Sequence, residues 1–393
     1  MKKKPARKMS NASRLWVSFG NMWPPFCNQM VIEGSGSIDF DALGAAVEKA
    51  SAANPGSRLV LRGFLSRSRW IDSGLVPGVR RADGSGWSGL GPEGAPFLDG
   101  KFDIRSGPTC EVLVIEGSPL RLAFRTHHAV MDGIGTVTWV EDIFRALRGE
   151  KPVGSEYCAI EDDFLNVSKA TEKPLGRRYI TPAGKTQPGA GSGFVWRRKK
   201  FTGRHSMLLP GIMLAAATEA WRTGDGAVRI GVPVNLRTRR PGFRSTSNLT
   251  NAFFIDVEPG DTPESISERL NRRLELRDDG SLTWEDRILR HIPRRVLEKA
   301  LKDEISSSKK SGLYRYPAVI SNLGRIEPAP FTTQEFRPLS VFFIPPGNEW
   351  SPFFMTVTGF KSSLEIALTM PVSHGGGGSI DGIMERITRG LNE

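Results

Sequence analysis

The chain has 393 residues, of which 39% are hydrophobic and 24% charged, with 43 glycines and 27 prolines. That balance excludes a disordered chain and describes a loop-rich mixed α/β protein with room for two lobes of ordinary domain size. A formal net charge of +12 favours anionic partners, such as nucleic acid, an anionic membrane, coenzyme A phosphates or an acidic carrier protein, without choosing among them. The simplest reading of the runs Lys2-Lys3-Lys4…Arg7-Lys8 and Arg197-Arg198-Lys199-Lys200 is a floppy end and a solvated strand edge. No apolar run approaches the roughly 20 residues of a membrane span, and the basic N-terminus lacks an apolar signal segment. Cys27, Cys110 and Cys158 are odd in number and widely spaced, which suggests neither a disulfide framework nor a zinc site and fits a reducing cytoplasm.

Taken in chain order, residues 29–34 read as a short strand. Asp39 then caps a helix over DALGAAVEKASAA that Asn54-Pro55-Gly56 stops. A strand SRLVLRGFL follows, and residues 72–100 read as a long loop. Within it, Gly84 to Gly89 spell GxGxxG, but no apolar strand runs directly into the motif, so a dinucleotide fingerprint is not expected. Residues 110–117 and 121–128 form a hairpin around Ser118-Pro119-Leu120, and the second strand ends on two histidines. After Asp132-Gly133, a helix places Val140, Phe144 and Leu147 on one face and stops at Gly149.

From about 166 to 194 apolar periodicity fades, which marks a crossover between lobes. The expected division is a first lobe over 1–170, a linker over 171–194 and a second lobe over 195–393. In the second lobe, helices are expected near 206–222 and over 264–277, with strands AVRIGVPVN, TNAFFIDV and YPAVISN. A hairpin from PFFMTVTGF and SLEIALTMP, a Gly-rich turn at 374–378 and a closing helix complete it. Where the first hairpin carries His127 and His128, the second has Thr369-Met370-Pro371. One active site, at the junction of the lobes, is therefore expected.

The most specific signal is His127-His128-Ala-Val-Met-Asp132-Gly133, or HHxxxDG, at a strand-to-helix junction. A neutral imidazole near pH 7 can take a proton from an attacking amine or hydroxyl, an effect worth roughly 10²–10⁴-fold. Asp132 reads as a brace that fixes the loop by pairing with an arginine. Gly133 leaves room for a substrate arm, and the helix after it aims its first amides where negative charge develops in acyl transfer. Neither HExxH nor GxSxG occurs, and His205, His291 and His374 have no ligand-like spacing to the pair, so zinc and serine-hydrolase readings fall away.

With HHxxxDG at one third of the chain, three further landmarks occur in order: residues 31–58, Val232-Pro-Val-Asn-Leu-Arg237 and Ile320-Ser-Asn-Leu-Gly324. In these the chain resembles the superfamily of peptide-synthetase condensation domains and chloramphenicol acetyltransferase. The resemblance implies an α/β fold of two chloramphenicol-acetyltransferase-like lobes forming a V with a central tunnel. It makes His128 the catalytic base, with Asp132 and Gly133 beside it, His127 and Arg237 in support, Arg237 as counterion of Asp132, and Ser321 and Asn322 as candidate tunnel residues. The activity implied is acyl transfer from a phosphopantetheine thioester, on an acyl carrier protein or as coenzyme A, to a small amine or alcohol in natural-product biosynthesis. No metal, tightly bound cofactor or nucleic acid is expected. The plant-type DFGWG motif is absent, and with no carrier or adenylation segment in the chain the donor is expected in trans. A coenzyme A dependent O-acetyltransferase and a catalytically silent module of the same fold remain the alternatives.

Overall fold

The protein is described from a computed structural model over residues 6–165, 176–187, 189–203, 207–277, 291–374 and 379–389. Its strands are β1 (Ala6–Lys8), β2 (Cys27–Gly36), β3 (Leu59–Arg62), β4 (Arg69–Asp72), β5 (Gly78–Asp83), β6 (Cys110–Glu116), β7 (Leu120–His127), β8 (Phe194–Thr202), β9 (Val228–Asn235), β10 (Thr250–Val257), β11 (Ala318–Ile326), β12 (Phe336–Ile344), β13 (Phe353–Phe360) and β14 (Ser363–Pro371). The α-helices among the described residues are α1 (Asn11–Met22), α2 (Phe40–Ala53), α3 (Gly133–Leu147), α4 (Leu208–Trp221), α5 (Pro263–Glu275), α6 (Arg294–Ser311) and α7 (Ile380–Thr388).

Two mixed sheets organise the molecule. The first has the order β12-β2-β7-β6-β5 and the second β10-β9-β11-β13-β14-β8, with a small sheet β1-β4-β3 beside the first. The expected hairpins are present, β6 against β7 and β13 against β14, both antiparallel. β12 crosses back from the C-terminal half and pairs antiparallel with β2, so the first sheet contains a strand from late in the chain.

The helices form for local reasons that the sequence displays. Asp39 accepts from the Ala42 amide at 2.7 Å, and α2 buries Leu43, Ala46, Val47 and Ala50, spaced as one helical face. That face packs with Trp139, Val140 and Phe144 of α3 against Met30, Ile32, Leu122 and Phe124 of the first sheet. On the second sheet, Ile212, Met213 and Ala216 of α4 and Ile383 of α7 cover Ile230, Ile320, Met355 and Ile366.

Several expectations need correction. The stretch 72–100 contains a strand, β5, paired parallel to β6. Arg7 is no floppy end: it lies in β1 at 2% exposure. The run 197–200 does sit in an edge strand, β8, but Arg198 is buried among acids from both sheets instead of solvated. Gly84–Gly89 leads into irregular chain rather than a helix, as its context implied. Lys2–Lys4, His205, most of the Gly-rich turn and residues 166–175 of the crossover lie outside the described residues.

Candidate functional site

A cavity of about 810 Å³ opens between the two sheets. His128, Asp132 and Gly133 line it from the first, and Gly231, Pro233, Ser321 and Asn322 from the second. Antiparallel register sets Cys27 opposite His127 at the end of β7. The chain then turns, and the Val130 amide bonds to the His127 carbonyl at 2.8 Å before α3 begins. The strand thus delivers His128 to the cavity and His127 to the interior.

His128 is held on several sides. Its ring stacks on Trp16 with centroids 5.0 Å apart and on Phe26 at 5.5 Å. Asn248 Nδ2 donates to the His128 carbonyl at 2.8 Å and lies 3.3 Å from Nδ1. Burial lowers the His128 pKa, and hydrogen bonds to backbone at His128 and Met131 together with the Asp132 charge oppose this less strongly. His128 is therefore neutral at pH 7. His127 is pushed down to about 3 by burial and by its neighbour His128. Its Nδ1 accepts from the Ala129 amide at 3.1 Å, which makes it a brace for the turn.

Asp132 caps α3 through the Gly135 amide at 2.6 Å. It also accepts from the Leu249 amide at 2.7 Å and the Thr250 hydroxyl at 2.9 Å, and pairs with both terminal nitrogens of Arg237 at 3.0 Å. Burial would raise its pKa, but the Arg237 charge and these hydrogen bonds outweigh it and hold the carboxyl below its usual range. A carboxylate so fully engaged is a fixed anion and not a proton acceptor.

Arg237 is spent in turn on the carbonyls of Ser245 and Ser247 and on Asn235 Oδ1. Gly133 earns its place sterically: a Cβ there would meet Leu323 Cδ2 at 2.8 Å. Gly133 and Ile134, the first two residues of α3, line the cavity, and amides of a helix's first turn have no intrahelical acceptor, an arrangement suited to an oxyanion.

Several lining residues were not singled out from sequence. Asn248 lies in a loop before β10, where nothing local signals that it reaches His128. Trp16 and Phe19 lie on α1, whose Ser10 cap and apolar spacing were a readable signal. Glu161 also lines the wall at 7% exposure; it accepts from the Ala12 amide at 3.3 Å, and burial pushes its pKa up to about 7.

Comparison with protein-family models gives no match, and neither does comparison with curated proteins. Solved structures match over nearly the whole chain. The chain is similar to the starter condensation domain of rhizomide synthetase, a mutant in complex with C8-CoA, at 15% identity and a TM-score of 0.64, covering 98% of this chain and 94% of that one. The fold is that of the condensation domains. Polyketide synthase associated protein 5 from Mycobacterium tuberculosis is similar at 14% identity and a TM-score of 0.63, covering 100% of this chain and 98% of that one. The epimerization domain from the third module of tyrocidine synthetase B is similar at 13% identity and a TM-score of 0.59, with the same coverage. One fold thus serves proteins named for different reactions, so the reaction must be argued from the site.

Proposed function

We propose that this protein is an acyltransferase that moves an acyl group from a phosphopantetheine thioester to an amine or hydroxyl acceptor, with His128 as general base. The observation that carries the reading is the placing of a neutral imidazole on the wall of a large cavity, beside the first two residues of α3 and an aspartate locked by Arg237.

In this mechanism the neutral ring of His128 takes the proton of the acceptor on its unprotonated nitrogen as the acceptor attacks the thioester carbon. The carbonyl oxygen becomes an oxyanion facing the amides of Gly133 and Ile134. Collapse breaks the carbon–sulfur bond, and the proton taken up by the His128 ring passes to the departing thiolate. The products are an amide or ester and a free thiol. Asp132, Arg237 and His127 are positioning residues in this scheme, and Ser321 and Asn322 serve as cavity wall.

A donor on an acyl carrier protein is favoured because such carriers are acidic and this chain carries +12, although coenzyme A phosphates suit the same charge. The rhizomide starter domain is seen with C8-CoA, which keeps the coenzyme A donor as the second reading. The test presents purified protein with acyl-coenzyme A and, separately, acyl-loaded carrier protein, with a panel of amines and alcohols, and follows thiol release and product mass. Product from carrier-bound donor alone supports the first reading, and turnover of free acyl-coenzyme A supports the second. No turnover with any pair contradicts both and leaves a silent module.

A further inference from the structure

One side of the cavity is an unbroken series of aromatic rings that ends on His128. Phe254 meets Tyr316 at 5.1 Å between centroids, Tyr316 meets Trp350 at 4.4 Å, Trp350 meets Phe19 at 5.7 Å, and Phe19 meets Trp16 at 5.5 Å. Trp16 then stacks on the His128 ring at 5.0 Å. These rings come from α1, β10, the turn before β11 and the loop after β12, and all of them line the cavity. Of the five, only Phe19 is fully buried; the others keep part of their surface open. Large aromatic groups left half-covered inside a cavity hold back contact area that an occupant can claim, and ring–ring contacts are worth more than the area alone.

A separate set of lining residues, Val319 and Leu323 from β11, Ile344 at the end of β12 and Pro345 and Pro346 after it, is aliphatic and suits a flexible acyl chain equally well from any side. The aromatic wall discriminates by shape: it rewards a flat ring. Aromatic faces also attract cations, and the lining carries both signs, Arg14 and Arg315 with Glu161, Asp162 and Glu304, so charge along the wall does not by itself select the occupant. Because the wall ends on the proposed base, what lies along it presents its nucleophile to His128.

We propose that the acceptor is an aromatic amine or alcohol, its ring held on the wall formed by Trp16, Phe19, Trp350, Tyr316 and Phe254 and its nucleophile directed to His128. This rests on the acyltransferase reading for the identity of the acceptor, but the ring site itself does not require turnover.

The test compares 2-phenylethylamine with 2-cyclohexylethylamine, which share the amine and spacer and differ in a flat against a puckered ring. Binding is followed by ligand-observed NMR titration, first to the full chain and then to its His128→Ala variant. The expected result is roughly tenfold tighter binding of the phenyl compound to both proteins, the scale of one or two aromatic contacts. That preference should fall below about twofold in Trp350→Leu and in Tyr316→Leu and persist in Trp350→Phe, with thermal melting to confirm that each variant folds. Equal binding of the two amines to wild type, or a phenyl preference unchanged in both leucine variants, overturns the proposal. If binding shows the preference and no donor is ever turned over, the ring site stands and the acyltransferase reading fails. If both amines are acylated with equal kcat/KM, the acyltransferase reading stands and this inference fails.

Discussion

Asp132 and Arg237, 105 residues apart, meet as a two-pronged pair with both contacts at 3.0 Å. Asp132 caps the helix that follows the first sheet's histidine strand, and Arg237 follows β9 of the second sheet. The pair therefore ties the two sheets together beside His128. Removing one partner of such a buried pair leaves an uncompensated charge, a loss of about 3–5 kcal/mol. Arg237→Ala should lose about 3 kcal/mol in urea unfolding, the lower end because three hydrogen-bond donors to Asp132 remain. Arg237→Lys, which keeps charge without the fork, should lose less. An unchanged midpoint in Arg237→Ala would remove the pair from the account.

Gly133 sets how closely α3 and β11 approach. Gly133→Ala brings its Cβ to 2.8 Å from Leu323 Cδ2, the end of a half-buried side chain that can turn aside, so the cost should fall at or below the lower end of the roughly 1–3 kcal/mol typical of overpacking. The expected outcome is reduced stability and acyl transfer, with both recovered in Gly133→Ala/Leu323→Ala. Failure of the second change to restore either would show that the glycine serves another purpose.

The pH dependence follows from burial. Since burial holds the pKa of His128 below the ordinary histidine value of 6.5, kcat/KM should rise from the acid side with a midpoint below 6.5 and then level off. A midpoint above 6.5 would contradict the placement of the ring. For stability, His127 and His374 have folded pKa values lowered to about 3 and about 4. A lowered folded value means that the unfolded chain binds protons first, so their contribution is complete above about pH 6.5 and is lost as pH falls from there toward 4 and 3. His374→Gln should flatten the part of that loss between pH 6.5 and 4, read from denaturation midpoints at successive pH values.

Arg197 and Arg198 are adjacent and should behave differently. Arg198, with its side chain 4% exposed, pairs with Glu33 of β2 and Glu365 of β14, whereas Arg197 is 22% exposed and pairs with Glu93 and Asp381 at the surface. Arg198→Ala leaves Glu33 with Arg121 and buried Glu365 with the Ser340 hydroxyl and the more distant Lys200, and should cost about 3 kcal/mol, the lower end for a broken buried pair, while Arg197→Ala should cost about 1 kcal/mol or less. Equal effects in chemical denaturation would show that burial does not separate them.

That pair also marks the limit of the sequence reading. Local pattern revealed the histidine hairpin, the capped helices α2 and α3 and the HHxxxDG junction, because each is written in consecutive residues. The burial of Arg198 and Arg7 was hidden, since a charged run looks the same whether or not distant acids or strands cover it. β12 escaped because Pro338 interrupts its apolar run, and α6 because its charged residues mask a narrow buried stripe of Leu301 and Ile305. Asn248 and the aromatic wall depend on contacts between loops and helices far apart in the chain, which no spacing encodes.

The most direct test of the central claim is thiol release under single-turnover conditions with a saturating acyl donor, comparing wild type with His128→Ala and checking both by thermal melting. The account predicts that the variant folds and loses roughly 10²–10⁴-fold in rate. An equal rate in a folded His128→Ala protein would contradict it.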